Sequence, residues 1–270
     1  MITVLVAGLP GKMATLVAEA ITLQKDMMLL RYALSGKSKQ MMNINQQEIQ
    51  LIPADNHANI LDLNFLDIDV IVDFTSSKSA NRNAQMYCEK SIPFIMGTTG
   101  GNRKELFEIV EKSNTFAIIA NNMAIPIVIF QAMIQFVAEN FQQSLNGFKI
   151  EICESHQAQK LGVSGTAESL LDSFTKLGIP VKKEQIVMIR DPLFQELNLG
   201  IPKQYLDGHG YHTYTLQSSD GTALLQFKHN ILGRNIYVEG TLKAIRFLSQ
   251  KKNSKGKVFS MIDVLKEISQ

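Results

Sequence analysis

The stretch VLVAGLPGKMATL, residues 4–16, decides the fold. Val4, Leu5, Val6 and Ala7 read as a buried strand, and an apolar helical pattern opens at Lys12. Gly8 and Gly11 lie between them, with the small Ala14 one turn into the helix. A glycine lets the chain turn sharply, and a missing side chain lets backbone N–H groups approach a pyrophosphate. A small residue then lets the helix pack on the strand. The spacing is G-x-x-G-x-x-A rather than G-x-G-x-x-G, so a purely structural turn stays open as an alternative. The position of the turn, opening an alternating chain, favours a dinucleotide site, with Lys12 and Met13 beside the phosphates.

Outward from this turn, short apolar strands alternate with helical patterns: MLLRYAL, VIVDFT, PFIMG and TFAIIA as strands, SANRNAQMYCEKS and RKELFEIVEKS as helices. Such alternation predicts a doubly wound, Rossmann-like parallel sheet covered by helices, hence an α/β fold. Residues 40–66 are polar and irregular, with room for one short strand near residues 49–52. After Met123 the pattern changes. A long helix over residues 127–143 leads into FKIEICESH, where Phe148, Ile150, Ile152, Glu154 and His156 share one strand face. A helix over residues 166–177 follows. EQIVMIR, YHTYTLQSS, TALLQFKHN and NIYVEG then read as strands joined by turns such as SSDG and NILG. They predict an α+β domain with a mainly antiparallel sheet. Residues 1–123 and 240–270 are expected to form the dinucleotide-binding domain, and residues 124–239 a substrate-binding and oligomerisation domain.

Bulk properties narrow the function. The net charge is +2, which offers no basic surface for nucleic acid or an anionic membrane. The most apolar stretch, residues 116–138, is interrupted by Asn121, Asn122, Pro126, Gln131 and Gln135, so no membrane span is expected. Two cysteines, Cys88 and Cys153, form no CxxC pair. No metal site or disulfide framework is expected, and a reducing cytoplasm suits them. The N-terminus lacks a basic region before its apolar run and reads as a strand.

The second strand ends in LSGKSKQ, where NAD-binding chains usually carry an acid that holds the ribose hydroxyls. Ser35, Lys37, Ser38 and Lys39 stand there instead. Hydroxyls and cations suit a 2′-phosphate, which predicts NADPH with NADH as the alternative; a plain surface loop would look the same. Further loops follow other strands. DFTSS presents Phe74 and Thr75, GTTGG presents Gly97, Thr98 and Thr99, and NNM presents Asn122 and Met123. Each is expected to contact the cofactor, although tight turns account for the glycines equally well.

The chemistry is expected in ESHQAQK and VSGTA, residues 154–160 and 163–167. His156 ends its strand, where it can hold a proton near neutral pH. Lys160 can bind a carboxylate or supply a proton, and a helix opening near Ser164 offers N–H groups to an anion. Here the chain resembles the dihydrodipicolinate reductase family. The resemblance covers GLPGKM, VDFTS, GTTG, NNM, ESHQAQK…SGTA and HNILGRNIYVEGTLKAIRFL; ESHQA, IRDP and GHGYHTY point to its plant-like branch.

The resemblance implies that His156 is the family's acid and Lys160 its catalytic and substrate-binding lysine. Ser164, Gly165 and Thr166 fall on its substrate-carboxylate loop, with Gln157 beside it. It implies NAD(P)H-dependent reduction of a cyclic dicarboxylate imine in diaminopimelate and lysine biosynthesis, and a homo-oligomer, dimer or tetramer. The chain departs from the common bacterial motif at Gln157, Ala158, Val163 and Ala14, and its loop before Ser164 is one residue shorter. Two alternatives stay open: a non-catalytic NAD(P)H sensor, and another Rossmann dehydrogenase of aspartate-derived substrates, for which a nucleophilic cysteine would be needed if it acted on a semialdehyde.

Overall fold

The structure, a computed structural model, describes residues 1–36, 40–57, 67–251 and 254–268. The chain divides into two compact units, Met1–Ala124 with Tyr237–Gln270, and Ile125–Ile236.

The first unit is built on one sheet. Its strands are β1 (Ile2–Ala7), β2 (Met27–Leu34), β3 (Gln40–Ile44), β4 (Gln47–Ile52), β5 (Val70–Asp73), β6 (Phe94–Met96), β7 (Ala117–Ile119) and β12 (Val258–Phe259). Their order is β12-β7-β6-β5-β1-β2-β4-β3, and every pairing is parallel except β3 with β4. The central strands β5, β6 and β7 are buried at every position, because helices cover both faces. The crossovers include α1 (Lys12–Thr22), α2 (Ala80–Glu89) and α3 (Arg103–Glu111). Leu5, Ile71, Phe94, Tyr87 and Leu106 anchor one of the packed clusters.

Two features differ from the sequence expectation. Residues 40–52 form a hairpin of two strands, not one strand. Its turn places Asn45 and Gln46 at φ +45° and +69°. Hairpin turns need such values, and Asn-Gly usually supplies them. The Asn45 side chain secures the turn by donating to the Glu19 carbonyl and to Thr22 Oγ1. Second, NIYVEG is no strand. It is the start of α8 (Ile236–Ser249), which precedes β12 and α9 (Met261–Ile268). Gly240 explains how the helix seats: a Cβ there would lie 1.9 Å from the Met123 carbonyl oxygen.

The second unit carries the sheet order β11-β10-β8-β9, from β8 (Lys149–His156), β9 (Val187–Ile189), β10 (His209–Gln217) and β11 (Leu224–Leu232). β8–β10 and β10–β11 are antiparallel, and β8–β9 is parallel. SSDG forms the β10–β11 turn, whereas Asn230, Ile231 and Leu232 of NILG still belong to β11 and Gly233 follows its end. The expected single helix over residues 166–177 is two short ones, α5 (Gly165–Glu168) and α6 (Leu171–Lys176). With α4 (Ile125–Asn140) they supply Ile134, Ala167 and Phe174 to a core completed by Leu170, which caps α6, and by Ile152, Tyr214 and Leu216. A further helix, α7 (Pro192–Leu197), opens at Asp191, whose carboxylate accepts from Phe194 N–H.

Candidate active site

In the first unit the parallel strands bring the ends of β1, β2, β5, β6 and β7 to one edge, and the expected cofactor residues follow them there. Gly8 has φ +115°, and a Cβ on it would lie 2.3 Å from the Phe74 carbonyl oxygen. At Gly97 a Cβ would strike the Phe74 ring at 2.3 Å. Backbone packing alone therefore demands Gly8, whereas a side chain at Gly97 would have to displace the Phe74 ring. α1 still opens as an anion site should. Gly11 is its N-cap without a side-chain bond, and the first turn carries no acid. Helix geometry leaves the first N–H groups, at Lys12, Met13 and Ala14, without intrahelical partners. These residues fit a dinucleotide diphosphate.

One residue the sequence analysis passed over organises this edge. The Asp73 carboxylate is wholly buried at the end of β5. Oδ1 accepts from Thr75 N–H, Thr75 Oγ1 and Thr98 Oγ1, the last two at 2.7 Å; Oδ2 accepts from Asn83 Nδ2 and Tyr87 OH. Thr75 and Thr98 thus turn their hydroxyls inward, and their N–H groups are taken by Asp73 Oδ1 and the Asp73 carbonyl, so what they can offer a cofactor is their own carbonyls. Thr99 is exposed. Ser35 is buried; its carbonyl meets His57 Nε2 at 2.9 Å and its N–H donates to Ile52. Asn122 Oδ1 accepts from Ala124 N–H. Met123 is buried with its sulfur beside Thr241 Oγ1. Lys37, Ser38 and Lys39 lie outside the described residues.

In the second unit His156 ends β8, opposite Gly210 of β10. A Cβ at Gly210 would lie 3.2 Å from His156 Nε2, so glycine leaves room for the ring. His156 Nδ1 lies 2.5 Å from Glu154 Oε2, two residues back on the same face. Arg190 grips the same carboxylate with both ends of its fork, at 2.9 and 2.6 Å. It also donates to the carbonyls of Lys160 and Gly162, fixing the loop that carries the lysine. Gln195 of α7 holds the His156 carbonyl at 2.7 Å. Burial alone would raise the Glu154 carboxyl, but His156 and Arg190 outweigh it and hold it at about 2. An ionised Glu154 makes Nδ1 the protonated nitrogen and leaves Nε2 for proton traffic. Burial lowers His156 below its ordinary value against the pull of Glu154. Burial also lowers Lys160, whose ammonium has no ion-pair partner among the described residues.

The carboxylate loop departs from expectation in detail. α5 is only four residues long, and Ser164 N–H is not free: it donates to Glu154 Oε1 at 3.3 Å. Ser164 Oγ meets His212 Nε2 at 2.9 Å. Thr166 is buried, while a Cβ on Gly165 would meet nothing within 4 Å, so space opens there. The Gln157 carbonyl accepts Lys160 N–H in a tight turn. Glu154, Arg190, Gln195 and His212 were not assigned from sequence. An acid two residues before a strand-end histidine, on its own face, was the available signal for Glu154. Neither cysteine suits a nucleophile: burial raises both thiols, at Cys88 and Cys153.

A doubly wound sheet with an uncapped glycine turn, joined to a unit carrying an oriented histidine beside a partly buried lysine, defines a two-domain, dinucleotide-dependent oxidoreductase. The family description "Dihydrodipicolinate reductase, N-terminus" matches residues 2–123, and "Dihydrodipicolinate reductase, C-terminus" matches residues 126–265. The chain belongs to the dihydrodipicolinate reductase family. It is 37% identical over 271 residues to the probable 4-hydroxy-tetrahydrodipicolinate reductase 2, chloroplastic, of Oryza sativa subsp. japonica, covering 98% of this chain and 83% of that protein. It is 35% identical to the 4-hydroxy-tetrahydrodipicolinate reductase 1, chloroplastic, of Arabidopsis thaliana, covering 98% and 78%. These relatives bear out the plant-like branch. A dipicolinate-bound dihydrodipicolinate reductase from Paenisporosarcina sp. TG-14 shares the fold, with a TM-score of 0.64 at 17% identity over 96% of this chain and 97% of that one. Among the described residues no helix is long and apolar enough to cross a membrane.

Proposed function

We propose that the chain reduces dihydrodipicolinate, as its hydroxytetrahydrodipicolinate form or the dehydrated ring, to tetrahydrodipicolinate in diaminopimelate and lysine biosynthesis, with NADPH as the cofactor. The observation that carries this is the Glu154–His156 pair beside Lys160 and the Ser164 loop, in a chain of this family. Residues 1–123 and 240–270 bind the dinucleotide, through Gly8, Gly11, Lys12, Met13 and the loops at Ser35, Lys37, Phe74, Thr75, Gly97, Thr98, Thr99, Asn122 and Met123. The reduced nicotinamide supplies a hydride to C4 of the ring.

The residues of the second unit do the rest. Lys160, Ser164, Gly165 and Thr166 hold the substrate carboxylates, with Gln157 alongside, and Lys160 acts as a charge in a partly buried place. Hydride addition to a conjugated imine leaves an enamine, which needs a proton on carbon. His156 holds that proton at Nε2, while Glu154 stabilises the imidazolium through Nδ1. Residues 124–239 also form the oligomer contact; exposed Ile129, Met133 and Phe136 on α4 suit a second copy. Free Cys88 and Cys153 suit a reducing compartment such as the cytoplasm. The test is direct. NADPH absorbance should fall when the protein meets substrate made fresh from pyruvate and aspartate semialdehyde by the preceding condensing enzyme. A flat trace with folded protein would end this assignment.

A further inference from the structure

Behind the Ser164 loop stand two histidines, His212 and His229, that the reduction, as described, does not use. Glu154, His212 and His229 are direct cross-strand neighbours on β8, β10 and β11, and share one face. His212 and His229 stack with ring centroids 4.6 Å apart, and the His156 ring meets His212 edge-on at 5.1 Å. His212 is only 4% exposed. Its Nε2 lies 2.9 Å from Ser164 Oγ; its Nδ1 is buried and has no hydrogen-bond partner among the described residues.

A neutral imidazole has one N–H. Placed on Nδ1, it would be a buried donor with nothing to donate to. Placed on Nε2, it is satisfied by Ser164 Oγ, and only a lone pair goes unmet. Burial, with His229 and His156 nearby, keeps His212 neutral, well below its ordinary value. The consequence falls on Ser164. If the hydroxyl gave its proton to His212, it would face an anion with lone pairs alone. Because it accepts from His212, its own proton is free to point outward. Ser164 N–H is meanwhile taken by Glu154, so the hydroxyl is what this residue has left for a ligand.

We propose that His212 is a positioning residue which, by donating to Ser164 Oγ, makes the Ser164 hydroxyl a hydrogen-bond donor to a carboxylate of the bound dicarboxylate. This rests on the assignment of the Ser164 loop to the substrate in the proposed function. His212 touches neither hydride nor proton, so it acts on substrate affinity more than on turnover.

The test compares wild type with His212→Phe, which keeps an aromatic ring in the stack but has no nitrogen. His212→Gln restores an N–H near the Nε2 position, and Ser164→Ala and the Phe/Ala double variant complete the set. Calorimetry with pyridine-2,6-dicarboxylate reads binding without turnover, and steady-state kinetics separate KM from kcat. His212→Phe should weaken Kd and substrate KM about tenfold, the scale of one impaired hydrogen bond to a charged group. It should leave kcat within about threefold and the KM for NADPH unchanged, and His212→Gln should recover most of the loss. The double variant should bind no worse than Ser164→Ala, since both changes break one contact. Unchanged Kd in a folded His212→Phe, or losses that add in the double variant, overturn the assignment. A lower Tm with normal Kd does so too, as the mark of a merely structural histidine. If wild type neither binds the dicarboxylate nor oxidises NADPH, the substrate assignment itself falls, and the role of His212 with it.

Discussion

Glu154→Gln is the most informative single change, because one buried carboxylate serves the histidine, the arginine and the substrate loop together. Its side chain is wholly buried and accepts from His156 Nδ1, both Arg190 fork nitrogens and Ser164 N–H. Glutamine keeps the shape, but its amide N–H groups must face donors. The magnitude follows by two routes. A carboxyl held at about 2, against 4.5 for a free one, is worth about 3 kcal/mol above pH 4.5. Removing one partner of a buried pair costs ~3–5 kcal/mol, and the carbonyls still bound to Arg190 put this case at the lower end. Both routes give about 3 kcal/mol, or a Tm drop of roughly 6–12 °C. The sign with pH is fixed. The folded-state carboxyl is depressed, so its contribution is complete above pH 4.5 and disappears as pH falls through 2. Urea melts at pH 7 and across pH 4.5 to 2.5 should show wild type losing this share while the variant does not. Activity at pH 7 should fall about 10²-fold or more, since His156 loses its orienting partner. Equal acid slopes for both proteins, or near-normal turnover in the variant, would refute the account of Glu154.

His156→Gln should fold and lose about 10²-fold or more in turnover. In wild type, kcat/KM should fall as pH rises through a value below the ordinary 6.5 of histidine, because burial lowers His156; a limb that persists in the variant would remove His156 from the proton step. Lys160→Ala should cost ~1.5–3 kcal/mol in kcat/KM and leave NADPH binding intact by calorimetry, and a tenfold loss of cofactor affinity would contradict the division of labour. Asp73→Ala strands Thr98, Asn83 and Tyr87 donors and should destabilise by about 3 kcal/mol or more in urea melts, with weaker NADPH binding; a wild-type midpoint would show that the cluster is dispensable. Lys37→Ala or Lys39→Ala should weaken NADPH by roughly 1.5–3 kcal/mol, less in high salt, and spare NADH; unchanged cofactor ratios would mean that these lysines do not read the 2′-phosphate.

The parallel sheet was legible because its strands are apolar on both faces and the helices between them are amphipathic. The Asn45–Gln46 hairpin was not, since its turn lacks the glycine that normally marks positive φ. NIYVEG misled through its branched and aromatic residues; the helix there is set by packing of Gly240 on Met123, which lies far away in sequence. The Pro192 helix carried a readable signal, an aspartate cap followed by proline. In the site, His156, Lys160 and the Ser164 loop lie close together in the chain and could be read as one group. Arg190, just past the end of β9, and His212 of β10 reach the same group over sequence separations of 36 and 48 residues, and only strand pairing reveals them. Asp73 ends an apolar strand and looked like a loop residue, because nothing local shows that Thr98 and Tyr87 converge on it.

The first unit is assembled from both ends of the chain, and this has a consequence for its biogenesis. As residues leave the ribosome, β1 to β7 emerge with the outer side of β7 unpaired, and β12 arrives only with residues 258–259. α8, whose Gly240 seats on Met123, comes scarcely earlier. At ~5–20 residues per second the nascent sheet waits roughly 7–28 s with one flank open. An unpaired strand edge is a template for foreign pairing. The second unit, by contrast, is one continuous run, Ile125–Ile236, and can close before the first is finished. Newly made chains are therefore most exposed to aggregation, and to capture by chaperones, along β7 in that interval.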